Sequence, residues 1–437
     1  MSSLSVPPGV SSAPLARSAE KLRALGDYLA KRRDVIARMQ WVMAALYVFL
    51  LIAPFAGFLS TGASDFAARA ARWEEALFWG VWWPGVILTS MIFGQVWCGL
   101  FCPDGAFTET ASRHGLQWKP ARWLDKAPWP VLAFAVLTTV SELADAHRSA
   151  AGTLVVVGGA SILAIAFGLA FGRGKRIWCR WLCPAASMFS LLARCAILHF
   201  AVDRAQWDRA PRRSGAVDCP LLLDVRRLRS NEKCNMCARC SGHRNAVALS
   251  ARAPGSEIVT LRDDELRVAD ALSVCFVLVG LTLSALHWRD WPWYGPISSV
   301  LGSSSHHGWT SGLLSIAIGT LIFGGTLAAL IVVAARGSLT LVLRLAYAII
   351  PLAGIGLFLG LTEHPLAIPA REGVPSAALL PWLRAFFLAA GAIWSLYLGR
   401  PAFSRSGGGF AWDGFVIYAA AIAELALVFL FAPSSIS

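Results

Sequence analysis

The sequence has little charge for its length. Only 15% of its 437 residues are Asp, Glu, Lys or Arg, whereas a soluble domain usually carries about 25%. Hydrophobic residues make up 56% of the chain, and the mean hydropathy is +0.58. This shortage of charge excludes an ordinary soluble globular protein, and several apolar runs approach the roughly 20 residues that cross a bilayer. The composition therefore predicts a membrane protein whose first partner is the lipid bilayer.

Acidic residues are also scarce: 26 Asp and Glu stand against 39 Lys and Arg, which gives a formal net charge of +13. No nucleic-acid recognition motif accompanies the excess, so we expect no nucleic-acid partner. Basic loops on one side of a membrane explain the charge instead. The first 38 residues lack an apolar core, so we expect no cleavable signal peptide. Residues 17–38 predict either a short amphipathic helix on the membrane surface or a solvated basic tail.

Nine apolar segments predict an all-α polytopic membrane protein. The third segment is the weakest, because acidic residues end its apolar run early. Lys and Arg are concentrated in the segments that share a side with the N-terminus, which places that side in the cytoplasm. The nine segments are residues 39–59, 76–97, 129–144, 153–171, 271–288, 313–335, 339–361, 377–398 and 414–431.

These segments divide the chain into four parts. We expect a cytoplasmic basic tail over residues 1–38, followed by a four-helix membrane unit over 39–171. Residues 172–270 form a polar cytoplasmic region that includes a small ferredoxin-like iron–sulfur segment. A membrane unit of five helices then occupies 271–437.

The strongest chemical signal is Cys234-x2-Cys237-x2-Cys240. Three thiolates at this spacing can wrap a loop around one [4Fe–4S] cluster, whose fourth iron takes a ligand from elsewhere. Bacterial ferredoxins continue with three residues and Cys-Pro, but Arg244 occupies the matching position here. Cys219, followed by a proline, is the best fourth ligand, and His243 is the alternative. A structural zinc site is the competing interpretation, although such sites usually use two separated pairs.

A second motif occurs twice. Trp97-Cys98-x3-Cys102-Pro103 is repeated as Trp178-Cys179-x3-Cys183-Pro184, each after a Phe-Gly pair at the end of an apolar segment. The repeat predicts duplicated hairpins that place the two cysteine pairs side by side. If each pair lies on one helix, positions i and i+4 direct both sulfurs to the same side. The four thiols could bind a second cluster or another soft metal, act as redox-active dithiols, or simply pack.

These motifs together resemble the NapH/NosR-type membrane-bound 4Fe-4S ferredoxins, over roughly residues 41–249. The resemblance implies [4Fe–4S] binding, a bacterial inner-membrane location, and electron passage between the quinone pool or a cytoplasmic donor and periplasmic enzymes. Cys98, Cys102, Cys179 and Cys183 match the family's membrane motifs, and Cys234, Cys237 and Cys240 match its ferredoxin motif. This chain departs from the family in its single incomplete ferredoxin run and its five further spans.

We therefore expect an electron-transfer component rather than a stand-alone enzyme. It would hold one [4Fe–4S] cluster on Cys219, Cys234, Cys237 and Cys240, and a possible second one on the four membrane-edge cysteines. Its partners would be quinol and respiratory or other redox proteins. The alternative is an accessory or redox-sensing membrane protein that serves the assembly of a respiratory metalloenzyme.

Overall fold

The fold is mostly helical. The computed structural model describes residues 12–58, 64–125, 128–211, 215–301, 305–371, 380–404 and 409–432. Within these ranges the strands form a single two-stranded sheet, and nearly all other regular structure is helix.

Eight helices in the described residues are long and apolar enough to cross a membrane, which confirms a multi-pass membrane protein. The third predicted segment is a helix of 15 residues, Trp129–Leu143, about 22 Å long against a hydrocarbon core of about 30 Å. The structure therefore supports eight spans and one shorter apolar helix. The eight are Arg33–Gly57, Asp65–Phe93, Ala150–Ala170, Val268–Leu286, Gly308–Ala334, Leu339–Thr362, Leu380–Phe403 and Trp412–Phe431.

Short helices connect these spans and carry the cysteine motifs. Three spans contain π-helical stretches, at Glu75–Trp82, Leu154–Gly158 and Ser273–Leu281. The helices outside the spans or at their ends are Ser12–Lys31, Val96–Leu100, Pro103–His114, Ile177–Trp181, Pro184–Leu192, Arg204–Arg209, Ser256–Val259 and Tyr294–Leu301.

The first helix does not lie free on the membrane surface. Ser12–Lys31 packs against the strand Val247–Ala251, and Gly26 is so close to Leu249 that a Cβ there would approach its side chain to 2.9 Å. The Asp27 carboxylate accepts a hydrogen bond of 2.8 Å from Ser241. The helix expected for this segment is therefore present, and it packs against the region that carries the cysteines rather than standing free as a solvated tail.

The two strands enclose the ferredoxin-type cysteine run. Leu198–Val202 pairs antiparallel with Val247–Ala251, with Phe200 opposite Leu249. Phe200 and Val247, one from each strand, share an apolar cluster with Cys234, Met236 and Ala238 of the cysteine loop. The sheet therefore anchors both ends of the loop that carries Cys219, Cys234, Cys237 and Cys240.

The helix Pro184–Leu192 returns into the membrane part of the molecule. Its Met188, Phe189 and Leu192 belong to the main buried core with the C-terminal spans. Gly354 makes this packing possible, because a Cβ there would meet Leu192 at 2.6 Å and the Met91 sulfur at 2.9 Å. Residues that the sequence placed in a polar cytoplasmic region thus contribute to the membrane core.

Candidate iron–sulfur centres

The two Trp-Cys-x3-Cys-Pro motifs have the same local structure. In each, a five-residue helix ends in a turn whose last two amides bond to the tryptophan carbonyl. The Trp97 oxygen accepts from the amides of Phe101 and Cys102, and the Trp178 oxygen accepts from those of Leu182 and Cys183. Each proline then opens the next helix. The duplication expected from the sequence is present in three dimensions.

The two cysteines of a pair do not lie on one helix, as the i, i+4 argument expected. Cys102 and Cys183 precede proline, which disfavours the α-helical region for them. Their ψ angles are 121° and 117°, so each stands just before the helix that its proline starts. The first cysteine of each pair sits in the short helix and the second caps the following one, which still directs both sulfurs toward the turn.

The four membrane-edge thiols form one group. Burial raises the pKa of Cys102 to about 11 and raises the pKa values of Cys98, Cys179 and Cys183 well above that of an ordinary thiol. Negative charge on neighbouring thiols raises several of them further: Cys179 acts on Cys98, and Cys98 and Cys102 act on Cys183. The fold therefore brings together the two pairs that are 81 residues apart in the sequence.

Such thiols are poor redox-active dithiols, because a reactive cysteine needs a lowered pKa. They suit a metal centre, whose positive iron ions compensate thiolates that burial alone would disfavour. Backbone amides favour the same ionised form: the amide of Gly105 faces Cys102, and that of Ala186 faces Cys183. Cys102 and Cys183 also stand at the N-termini of helices, whose dipoles favour negative charge. The donor set fits an iron–sulfur cluster.

The ferredoxin-type run forms a second group. Met236 and Ala238 adopt left-handed conformations, with φ of 54° and 60°, which are unusual for residues with a Cβ. Alternating left-handed residues let successive amides converge on one concave side, as in anion-binding nests. The amides of Met236 and Arg239 favour thiolates at Cys234 and Cys237. The unusual backbone conformation of this loop thus directs amides toward sulfurs that would be anionic.

Cys219 lies with this second group. Burial raises the pKa of Cys234 to about 12, and charges on Cys237 and Cys219 raise it further. The Leu223 amide points at the Cys219 sulfur at 3.5 Å, as the other loop amides point at theirs. His243 instead packs against the Trp207 ring, with centroids 5.0 Å apart. The geometry favours Cys219 over His243 as the fourth ligand.

The two cysteine groups adjoin. A Cβ built on Gly99 would lie 2.8 Å from the Cys237 nitrogen and 2.9 Å from the Met236 carbonyl carbon, and closer still to the Asn235 oxygen. Real Cβ contacts are almost never that short. The residue after Cys98 therefore touches the backbone that leads into Cys237, and only glycine permits this approach.

Arg176 is a buried charged residue beside the cysteines that the sequence reasoning missed. Its side chain is 1% exposed and donates to the Cys98 carbonyl at 2.8 Å and to the Glu109 carboxylate at 2.9 Å. Glu109 also accepts from Arg239, in the second cysteine loop. A buried guanidinium thus stands between the two groups, where its charge acts on Cys179 and Cys237.

The repeat offered a signal for it. Arg176 stands three residues before Cys179, as Gln95 stands three before Cys98. The Gln95 amide donates to the carbonyls of Asn231 and Glu232, just ahead of Cys234. In both copies the side chain at this position holds a cysteine segment in place: Gln95 contacts the residues ahead of Cys234, and Arg176 contacts the Cys98 carbonyl. Only the second copy places a charge there.

A family described as a 4Fe-4S binding domain matches the chain twice, over residues 75–124 and 155–204. The two matches contain the pairs Cys98 with Cys102 and Cys179 with Cys183, and they confirm the internal duplication. The cofactor is a [4Fe–4S] cluster. The match falls on the pairs that the sequence reasoning ranked second, whereas Cys219, Cys234, Cys237 and Cys240 lie outside it. No curated protein and no solved structure matches the chain.

No three His, Cys, Asp or Glu side chains of the described chain converge in a way that would hold a single metal ion. A tetrahedral zinc site, the alternative weighed for the ferredoxin-type run, would set its sulfurs about 3.8 Å from one another. The case for iron–sulfur centres thus depends on the family matches, the grouping of the thiols and the amides that face them.

Proposed function

We propose that this protein is a membrane electron-transfer component of the NapH/NosR type, which passes electrons between a quinol and a redox partner on the cysteine side. Cys98, Cys102, Cys179 and Cys183 would hold one [4Fe–4S] cluster, and Cys219, Cys234, Cys237 and Cys240 a second. Such clusters supply reversible one-electron transfer. The observation that carries the proposal is the backbone contact between Gly99 and the Asn235–Cys237 loop, because it joins the two cysteine groups into one continuous path.

The charges around the path support electron transfer rather than assembly or sensing. Each thiolate-ligated cluster is anionic, and a reduced one more so, so a fixed positive charge nearby favours reduction. Arg176 supplies that charge between the groups and is held in place by Glu109. The raised pKa values of the membrane-edge thiols disfavour the reactive thiolate that a redox sensor needs.

The path has an opening on the side of the second group. Cys237 lines a cavity of about 180 Å³ together with Arg33, Arg113 and Arg239. The Arg33 and Arg113 side chains are 52% and 58% exposed, so they could guide an acidic redox protein toward Cys237. By the distribution of basic residues, this side would be the cytoplasmic face of a bacterial inner membrane.

Iron and acid-labile sulfide per chain would test the two assignments on anaerobically purified protein. About eight of each are expected for two cubanes, with reduced-cluster signals in electron paramagnetic resonance. Replacing Cys102 and Cys183 together with serine should leave about four of each, and so should replacing Cys234 and Cys237. Zinc without sulfide would contradict the proposal. So would a result in which one double variant loses all of the iron and the other loses none.

The same preparation tests the donor. A reduced quinol analogue should generate both cluster signals anaerobically in the native protein. It should generate only the signal of the remaining site when Cys234 and Cys237 are replaced. Clusters that dithionite reduces but quinol does not would show that the protein takes its electrons elsewhere.

A further inference from the structure

An apolar cavity of about 140 Å³ lies within the membrane part of the chain. Such a volume accepts a single six-membered ring, since an apolar cavity of about 150 Å³ holds one benzene. Its walls come from the short helix Trp129–Leu143, from the two neighbouring spans, from the helix after Cys183 and from the C-terminal unit. The residues used below are Trp83, Thr138, Ser141, Glu142, Pro184 and Ala185, which all line it.

The cavity touches the first cysteine group. Pro184 and Ala185, the two residues that follow Cys183, form part of its wall. A ring bound there would lie against the turn that presents Cys183.

Among the polar groups in the lining of this largely apolar space, three could contact a bound ring. The Ser141 hydroxyl and the Trp83 indole N–H are buried without a hydrogen-bond partner among the described residues, and Ser141 is only 6% exposed. Unsatisfied buried polar groups are rare and costly. Beside them lies the Glu142 carboxyl, on a residue that is 7% exposed. A ring with two oxygen substituents would satisfy these groups, whereas an acyl chain would not.

Glu142 lies at the end of its helix that is farther from the cysteines. The helix Trp129–Leu143 starts near the second motif, where Trp129 packs with Trp181, and Glu142 lies at its other end. The Glu142 carboxylate is 3.7 Å from Nδ1 of buried His147, a gap that a small side-chain shift or one water closes. Beyond His147 lies the exposed ion pair between Asp145 and Arg289, at 2.8 Å.

We propose that this cavity holds the ring of the quinol, and that Glu142 and His147 carry its protons to the face opposite the cysteines; this inference rests on the proposed function. Oxidation of one quinol to quinone releases two electrons and two protons. Two one-electron acceptors, the [4Fe–4S] clusters, take the electrons. Glu142 accepts one hydroxyl proton, passes it to the His147 imidazole, and accepts the second after the first has left through His147 to solvent.

Photolabelling would locate the quinone independently of any activity. Full-length protein in lipid nanodiscs is illuminated with an azido-quinone, and the labelled peptides are mapped. Label should fall on residues 129–143 and 184–192. Thr138→Phe, which fills the cavity, should abolish it, whereas Thr139→Phe, the same change one residue outside the lining, should not. Label elsewhere, or label that survives Thr138→Phe, would overturn the site.

Glu142→Gln tests the proton acceptor. It keeps the shape of the side chain, so labelling should persist, but quinol-driven cluster reduction should slow by about 100-fold, the usual contribution of a general base. Reduction by dithionite should not change, and Glu424→Gln, which alters an acid in another span, should leave both rates unchanged. A native rate for Glu142→Gln would overturn its role. Label in the cavity without quinol-driven reduction of native protein would refute the proposed function but not the site.

Discussion

Replacing Gly99 with alanine should separate the two cysteine groups without removing a single ligand. The new methyl group would start 2.8 Å from the Cys237 nitrogen, and an ordinary contact begins at 3.4 Å. The loop must therefore move by about 0.6 Å, and by more at the Asn235 oxygen, which is nearer. Because the clash is with backbone atoms rather than with the end of a flexible side chain, it can be relieved only by a shift of the backbone.

The cost in stability follows from this geometry. Overpacking of this kind costs about 1–3 kcal/mol, offset by about 0.5–1 kcal/mol because alanine favours a helix over glycine. We expect a net loss of roughly 1–2 kcal/mol in the free energy of unfolding. Gly85→Ala and Gly159→Ala are matched controls, since a Cβ at either position meets nothing within 4 Å. They should be neutral or slightly stabilising.

Function should respond more sharply than stability. The variant should keep its iron and sulfide, because every cysteine remains. In rapid-mixing experiments with quinol, followed by electron paramagnetic resonance, the signal of the Cys98 group should rise at the native rate. The signal of the Cys234 group should lag behind. If both signals rise as in the native protein while the two control variants behave identically, the groups do not communicate through Gly99.

Three further changes test single features. Arg176→Met should lower the reduction potential of the nearer cluster, because a positive charge that favours the reduced form is lost, and Arg176→Lys should restore most of it in a redox titration. Cys219→Ser should remove the iron of the second group, while His243→Ala should keep it, as iron analysis would show. Burial and the charge of Arg252 lower the pKa of His199 to about 4, so this histidine gains a proton on unfolding between pH 6.5 and 4. Stability present above pH 6.5 should be lost as the pH falls through that window, and His199→Gln should flatten the loss in thermal unfolding.

The membrane character of the chain could be predicted almost completely from hydropathy. Eight of the nine predicted segments correspond to long apolar helices, because a bilayer demands a length that composition reveals. The exception, Trp129–Leu143, ends early at its acidic residues, and Glu142 now lines a cavity. The place where the apolar pattern ends early is thus a place where the structure buries a carboxyl group beside a cavity.

The cysteines of both groups could be identified from the sequence, but their arrangement in three dimensions could not. Spacing alone pointed to an i, i+4 pair on one helix, yet Pro103 and Pro184 break that helix and turn the second cysteine into a cap. The sequence left Cys219 and His243 open as partners of the ferredoxin-type run, and the contacts that favour Cys219, from Leu223 and Trp207, are visible only in the structure. The repeat marked the position of Arg176 but not its contacts, and nothing in the sequence marked Gly99, because both residues contact parts of the chain that are far away in sequence.

Two of the five additional spans, Val268–Leu286 and Leu339–Thr362, contact both the cavity and the cysteine region. Thr282, Leu286, Leu357 and Leu361, all from the C-terminal unit, complete the wall of the cavity. On the cysteine side, buried Arg194 joins that unit to the iron–sulfur region, since it contacts Glu232 and Glu257 and reaches Asp270 at 3.3 Å, whose carboxylate accepts from Tyr347. A four-helix unit alone would leave the cavity open on one side and this buried network incomplete. These two spans therefore complete the cavity in which we propose that the quinol ring binds, and they hold the cysteine region in place.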